Sequence, residues 1–249
     1  MLRTVDSLLE GFRKTESETL RKYAPEIEVI LEQIKILKLF GNCIFEYARS
    51  DPEFLKRYTR SLTAGCECEL IRTSAHTLFL SANALYRSAK GNIRYMLESI
   101  LQSTYIDINH PNSNLSTKWE ILKEVENRRE YRAPNLINSW KTLDHKDDLQ
   151  NEYKLLSEEV HPSHIHAKEI FKEVMVEAHI PAKIERSEIQ KISNSLLRLY
   201  DIFYFLVLYN FPELKKVFVK NENIQKTIGK FGFRLLHLSL SKKTNQTKR

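Results

Sequence analysis

Three closely spaced histidines are the residues in this sequence that are best suited to carry chemistry. His161, His164 and His166 follow the acidic segment 153–159, and Pro162 separates the first histidine from the other two. Imidazole can transfer a proton near neutral pH, and its nitrogens are also ligands for zinc and related metals. The spacing H-x-x-H-x-H differs from the H-E-x-x-H zinc motif, so proton transfer and metal binding both stay open.

The residues before His161 predict a helix that ends at the histidines. The carboxylates at 147–148 favour a helix start, because acidic side chains near an N-terminus accept orphan amide hydrogens. Pro162 keeps its preceding residue out of the helical region, so the helix ends at residue 160 or 161. Ser157 lies one turn before His161 on the same face, at the edge of the core. This polar pair could act in chemistry or cap the helix, and its apolar neighbours are Tyr153, Leu156 and Val160.

Two arginines and one lysine are the cations that could lie near His161. Arg87 and Arg94 lie along the most regularly apolar stretch of the chain, residues 78–101. Lys154 precedes His161 by two turns on roughly the same helical face. Either arginine could point toward His161, or its stem could cover the edge of the core while the charge reaches solvent.

The net charge of +7 comes from the C-terminal part of the chain. Residues 213–249 contain ten Lys or Arg against two acids, so the rest of the chain is close to neutral. Such a basic region commonly binds nucleic acid or the acidic surface of a protein partner, although it can also serve only to keep a protein soluble. Together with the polar residues of the histidine segment, the candidate binding residues are Lys154, Ser157, Ser163, Lys242, Lys243, Lys248 and Arg249.

The remaining motifs exclude several function classes. No glycine-rich phosphate loop, nucleophile elbow or kinase motif occurs, so no cofactor is predicted. The odd count of cysteines and the spacing of Cys66 and Cys68 fit buried structural thiols better than a zinc or redox site. The N-terminus lacks a signal sequence, and the longest apolar stretch, residues 202–209, is well short of the ~20 residues that span a bilayer. We expect a cytoplasmic protein without membrane contact, in which residues 202–209 belong to a core helix.

The composition predicts an all-α fold, because only six glycines and seven prolines interrupt 249 residues. We expect one helical domain over residues 1–240, followed by a flexible basic tail at 241–249. The segment 64–106 is either one long helix or two helices joined near 65–73. The other predicted helices cover residues 5–22, 26–48, 52–62, 118–129, 147–161, 187–207 and 223–240.

Three finer expectations accompany this helix assignment. Ser116 or Thr117 with Glu120 resembles a capping box that opens the helix at 118–129. Residues 128–138 are charged and contain a proline, which is typical of a mobile connection. The helices at 78–106 and 187–209 have matched apolar faces, so we expect them to be neighbours in the core.

One pair of motifs resembles a known family. A helix that carries Arg87 and then Glu98 is followed by Tyr153-x-x-Leu156-Ser157-x-x-Val160-His161-Pro162-Ser163. This arrangement, over residues 78–163, resembles a group of all-α prokaryotic proteins that are distant relatives of HEPN domains. The resemblance implies a helical bundle, often dimeric, in proteins linked to RNA cleavage, toxin–antitoxin pairs or antiviral defence.

The resemblance also implies a role for His161, with one departure from the family pattern. Active HEPN ribonucleases carry an arginine followed, after four to six residues, by a histidine that moves the proton of a ribose 2′-hydroxyl. His161 matches the histidine, but positions 154–156 hold Lys, Leu and Leu. An ammonium is a poor substitute for the forked guanidinium that would stabilise the developing phosphate charge.

The leading hypothesis is a HEPN-like binding or regulatory protein that contacts nucleic acid or a protein partner, with a homodimer as an expected assembly. The alternative is a metal-independent ribonuclease in which His161 acts with Arg87 or Arg94. A second alternative is a metal site at His161, His164 and His166. A guanidinium near His161 would favour the nuclease, and three converging ligand atoms would favour the metal.

Overall fold

The computed structural model of the chain describes residues 5–126, 133–140, 143–160 and 184–241. Within these ranges every regular element is a helix and there is no strand, so the predicted all-α class is confirmed. The helices are α1 Val5–Ser50, α2 Pro52–Tyr58, α3 Leu62–Ala82, α4 Tyr86–Asn109, α5 Leu115–Glu126, α6 Ala133–Ser139, α7 Lys146–Val160, α8 Arg186–Asn210, α9 Leu214–Lys220, α10 Glu222–Phe231 and α11 Arg234–Ser241. None of the described helices combines the length and the apolar character that crossing a bilayer requires.

The first two predicted helices form the two arms of α1. Tyr23 has non-helical backbone angles (φ −128°, ψ 28°), and Pro25 follows it inside the helix. Proline removes an amide hydrogen bond and its ring crowds the preceding turn, which explains a kink at this point. The next helix, α2, begins as predicted, because Pro52 occupies its first position and the Phe54 amide donates to Asp51 Oδ1 at 3.0 Å.

The predicted continuity of residues 78–106 is wrong, because α3 and α4 separate at 83–85. Ala84 adopts a left-handed conformation with φ 55°. The Leu85 amide donates to the Leu80 carbonyl at 2.8 Å, and the Ala84 amide donates to the Ser81 carbonyl at 3.1 Å. These two bonds form a Schellman motif, which ends α3 and turns the chain back into α4. The joint that was expected near 65–73 instead lies inside continuous helix.

Two expectations for the middle of the chain are also corrected. Helix α5 begins at Leu115, because the Asn114 side chain accepts the Thr117 amide at 2.9 Å in place of the predicted capping box. The expected mobile connection contains α6, whose side chains Leu136 and Ile137 are buried. Burial of these two apolar side chains stabilises α6, and Pro134 lies in its first turn, where proline is tolerated.

The long helix α8 lies at the centre of the molecule. It packs against α1, α3, α4, α7 and α11, and its packing on α4 confirms that the two most apolar helices are core neighbours. The predicted core stretch is confirmed as well, since residues 202–208 are all buried. Polar bonds add to this packing: Tyr200 donates to Ser74 Oγ at 2.8 Å, and the Gln33 amide donates to Ser193 Oγ at 2.6 Å.

The described C-terminal residues form three short helices, where the sequence predicted one helix over 223–240. Gly232, with φ 66°, ends α10 and separates it from α11. The first turn of α11 is capped by Asp201 of α8, which accepts the amides of Leu235 and Leu236 at 2.8 Å each. The basic part of the chain is therefore attached to the core as far as Ser241.

Candidate functional site

The structure brings one predicted arginine next to the helix that leads to the histidines. Helices α4 and α7 pack together. Arg94 on α4 donates to Glu98 Oε1 at 3.1 Å, and both side chains are a little over 40% exposed. The charges of Arg94 and Glu98 both act on the phenol of Tyr153 on α7, which is hydrogen-bonded with Ser157. Four polar side chains therefore form a cluster where α4 packs against the C-terminal half of α7.

Tyr153 is a half-buried member of this α4–α7 cluster and remains a neutral phenol. Burial raises its pKa, and the nearby Glu98 carboxylate acts in the same direction. The hydrogen bond with Ser157 and the positive charge of Arg94 oppose this rise. Tyr153 can therefore donate or accept a hydrogen bond at neutral pH, but it supplies no charge.

The other two predicted cations lie apart from this cluster. Arg87 is exposed in the first turn of α4 and makes no ion pair with a described residue. Two helical turns, roughly 10 Å, separate it from Arg94. Lys154 is exposed on α7 and lies 3.9 Å from Glu158. Of the three cations that the sequence singled out beside His161, all of them described, only Arg94 belongs to the α4–α7 cluster.

Several predicted site residues lie outside the described ranges. They are His161, Ser163, His164, His166, Lys242, Lys243, Lys248 and Arg249. The described ranges contain no group of three or more His, Cys, Asp or Glu that could hold a metal ion. The metal hypothesis, which concerned His161, His164 and His166, therefore stays a prediction.

The cysteines are structural in part. Cys66 is buried, as predicted, but Cys68 is exposed, which corrects the expectation for that thiol; Cys43 is also buried. Burial raises the pKa of Cys66 to about 11, so its thiol stays protonated at neutral pH. Its sulfur lies 3.4 Å from Ser103 Oγ, on the neighbouring helix α4.

A second candidate site, which sequence reasoning missed, is a polar cavity of about 290 Å³ beside α2. We call it the α2 cleft. The cations that line it are Lys56, Arg57, Arg60 and Lys118, and the carboxylates are Glu53 and Asp107. Lys56 and Arg60 are exposed and make no ion pair with any described residue. The lining thus has an excess of positive charge, and the side chains of Asn112 and Asn210 add hydrogen-bonding groups.

The floor of the α2 cleft is held by a buried network around Asp107. The Lys118 ammonium lies 2.7 Å from Asp107 Oδ1, and the two side chains are only 4% and 6% exposed. Ser61 Oγ donates to Asp107 Oδ2 at 2.6 Å, and the Thr63 amide donates to the same oxygen at 2.8 Å. Lys118 also donates to the Arg60 carbonyl at 3.1 Å. Asp107 therefore fixes the N-terminus of α3 and the position of α5 together.

The α2 cleft lies beside the start of the basic C-terminal region. Phe211 lines the cleft, and α9 begins three residues later. Arg57 forms an ion pair with Glu213, which joins α2 to the start of α9. Three further lysines on α9 make no ion pair with a described residue: Lys215, Lys216 and Lys220. The basic cluster on α2 could have been read from the sequence, but not its position beside α9.

Comparisons with protein-family models, with curated proteins and with solved structures find no match for this chain. The α4–α7 cluster and the α2 cleft are the features of the described chain that bear on function.

Proposed function

We propose that this protein is a HEPN-like helical protein that binds nucleic acid through its phosphates. The observation that carries the proposal is the α2 cleft, where four cations and two carboxylates line one polar cavity at the start of the basic C-terminal region. Phosphate oxygens are bound mainly by Lys and Arg, with help from amide side chains. Both kinds of group line this cavity.

Phosphates would bind at the cations of the cleft that have no acidic partner among the described residues. Lys118 is committed to Asp107 and Arg57 to Glu213, so neither can give its full charge to a ligand. Lys56 and Arg60 have no such partner among the described residues, and their removal leaves the buried network unchanged. They are the residues on which a binding test should act.

The test measures how tightly labelled single-stranded RNA binds at several salt concentrations. Replacing both Lys56 and Arg60 with Gln should weaken binding and flatten its salt dependence, by about 0.7 in the log–log slope for each phosphate that is no longer neutralised. The matched control replaces Lys35 and Arg72 with Gln, since these are an exposed lysine and arginine, each in a local surface ion pair. Equal slopes in the two double variants would overturn the proposal and leave an acidic protein partner as the better candidate for the cleft.

A metal-independent ribonuclease is the second candidate, and the α4–α7 cluster is the observation that favours it. The charge of Arg94 acts on Tyr153 of α7, whose phenol is hydrogen-bonded with Ser157, and His161 follows Ser157 by four residues in the sequence. A guanidinium there would stabilise charge on a phosphate while the histidine moves a proton. His161→Ala and Arg94→Ala should each lower RNA cleavage by about a hundredfold in the absence of metal. Arg87→Ala is the matched control and should leave the rate unchanged.

The HEPN-like proposal also includes a homodimer and a role in defence or in a toxin–antitoxin pair. The chain has a mass of 29.4 kDa, so light scattering separates a monomer from a dimer directly. A monomer at all accessible concentrations would remove the dimer from the proposal.

A further inference from the structure

A partly buried carboxylate lies at the base of an apolar cleft between α1, α2 and α3. This group is Glu67 on α3, which makes no ion pair within the described ranges. Tyr58 donates to its Oε2 at 2.8 Å, and the Tyr204 hydroxyl lies 3.4 Å from its Oε1. The Tyr204 hydroxyl is shared with the Leu37 carbonyl, at 3.3 Å. The hydrogen bonds that hold Glu67 in the described part of the chain therefore come from neutral donors.

A glycine on the opposite helix leaves room over this carboxylate. A methyl group at Gly41 of α1 would lie 2.8 Å from Glu67 Oε1, which is closer than van der Waals contact allows. Glycine in a helix interior costs roughly 1 kcal/mol relative to alanine. Here the missing side chain lets the Glu67 carboxylate face the cleft.

The cleft itself is large and mostly apolar. Its volume is about 600 Å³, which is in the range of small-molecule sites. The apolar side chains at its rim are unusually exposed: Phe45 is 61% exposed, and Ile71 and Leu55 are each 39% exposed. Lys35 and Lys38 stand at the same rim, and Lys35 is paired with Glu32 at 2.6 Å.

We propose that this Glu67 cleft binds a small amphiphilic amine, with its ammonium group on Glu67 and its hydrocarbon against the exposed apolar rim. Among the described residues, Glu67 is the only acid that lines the cleft, so it selects a ligand with one positive charge. The rim lysines would repel a second charge further along the molecule. The hydrocarbon part follows from the apolar lining, where removing Phe45 and Ile71 from water is favourable.

The electrostatic state of Glu67 supports this proposal. Burial raises the pKa of the Glu67 carboxyl, while the hydrogen bonds from Tyr58 and Tyr204 lower it again in part. An ammonium beside Glu67 would favour the ionised carboxylate and offset its cost of burial. The ligand thus supplies the positive charge that no described residue places beside Glu67.

The first experiment titrates the protein with three probes of equal chain length below their micelle-forming concentrations: octylamine, octanol and octanoate. Octylamine is protonated at pH 7, as lysine is, and should bind more tightly than either of the others. Glu67→Gln should weaken octylamine binding by about tenfold or more and leave octanol binding unchanged. The matched control is Glu69→Gln, since Glu69 lies on the same helix outside the cleft and pairs with Arg72, and this variant should change neither affinity.

A second variant tests the same site without altering any charge. Gly41→Ala should displace the Glu67 carboxylate from the cleft and weaken octylamine binding, although alanine is the better helix former. Gly91→Ala is the matched control, because a methyl group there meets nothing within 4 Å. Thermal melting of each variant shows whether the fold is intact.

Three outcomes with the wild-type protein would overturn the proposal. They are the absence of saturable octylamine binding, equal affinities for octylamine and octanol, and tighter binding of octanoate than of octylamine. The last result would assign the cleft to an anionic amphiphile held by the rim lysines. Octylamine affinity that survives both Glu67→Gln and Gly41→Ala would place the amine elsewhere on the protein.

Discussion

Asp107 and Glu67 are carboxylates on neighbouring helices, and they differ in their ionic and hydrogen-bonding partners. Asp107 receives a buried ammonium, a serine hydroxyl and the backbone amides of Leu62 and Thr63. Glu67 receives two tyrosine hydroxyls and no cation among the described residues. Both carboxylates are largely shielded from solvent. The difference between Asp107 and Glu67 therefore lies in their partners and not in exposure alone.

This difference separates a structural carboxylate from a candidate binding group. A buried charge is tolerated when a countercharge and hydrogen bonds satisfy it, and the resulting network holds helices together. A buried carboxylate with neutral donors keeps an electrostatic cost that a cationic ligand can offset. Asp107 therefore belongs to the framework of the α2 cleft, whereas Glu67 is available to a ligand.

The largest expected effect comes from breaking the Asp107 network. Lys118→Ala leaves the Asp107 carboxylate buried without its countercharge, so the free energy of unfolding should fall by about 3–5 kcal/mol. Urea denaturation measures the change. The control is Lys123→Ala on the same helix, because that lysine is 68% exposed and should contribute at most about 1 kcal/mol through Glu120. Similar losses in both variants would show that Asp107 is not a structural centre.

The second prediction concerns Asp201, whose environment is intermediate between those of Asp107 and Glu67. Like Asp107 it accepts backbone amides, and like Glu67 it pairs with no cation among the described residues. Burial raises its pKa from 3.8 to about 6, and the nearby Glu152 charge acts in the same direction. The folded state holds the proton more tightly, so Asp201 stabilises the fold below about pH 4, and this contribution is lost as the pH rises through about 6.

The loss should be roughly 3 kcal/mol across that window, since each pKa unit corresponds to about 1.4 kcal/mol. Asp201→Asn removes the titration, so the stability of the wild type relative to this variant should fall between pH 4 and pH 7. Urea denaturation at a series of pH values gives the difference. Asp147→Asn, at an exposed aspartate on α7, should run parallel to the wild type. Parallel curves for Asp201→Asn would contradict the prediction.

The stability of the wild type relative to the Glu67→Gln variant should also fall as the pH rises, but by less than for Asp201. Because burial raises the Glu67 pKa, the carboxyl favours folding below its ordinary value of 4.5, and this contribution is lost as the pH rises through the raised pKa. The Gln variant should therefore be at least as stable as the wild type at pH 7, since one tyrosine can still donate to its amide oxygen and the other hydroxyl can accept from its amide NH2 group. Urea denaturation at pH 7 checks this. A clear loss of stability there would mean that the ionised carboxylate is satisfied, as Asp107 is.

The smallest effect is expected for an ion pair that lies fully in solvent. Lys154 and Glu158 are 75% and 62% exposed and 3.9 Å apart. Lys154→Ala should change the free energy of unfolding by about 0.5 kcal/mol or less. Thermal melting checks this value. A loss above about 1 kcal/mol, the upper end for exposed pairs, would show that Lys154 has a structural role, and any effect of this variant on RNA cleavage could then not be assigned to lost catalysis.

The parts of the fold that the sequence predicted are those with local causes. Helix α8 follows from its apolar periodicity and from Pro212 beyond its end, and the start of α2 follows from Asp51 and Pro52. The break between α3 and α4 was missed, because a left-handed alanine carries no signal of the kind that glycine gives.

The candidate sites likewise combine residues that the sequence identified with neighbours that only packing brings together. Arg94 was identified from its place on an apolar helix, but its proximity to Tyr153 depends on the packing of α4 on α7. Glu67 was missed, because Gly41 and Tyr204 lie on helices that are remote from it in sequence. Residue types can be read along the chain, whereas partners that meet only through packing cannot.

The position of α8 has a consequence for how the chain folds during its synthesis. This helix fills the middle of the molecule, yet it begins only at Arg186, after α1, α3 and α4 have left the ribosome. At roughly 5–20 residues per second, those earlier helices wait for several seconds with their inner faces open to water. The early part of the nascent chain thus exposes apolar surface until α8 is made, and a stop codon before residue 186 should release an aggregation-prone fragment.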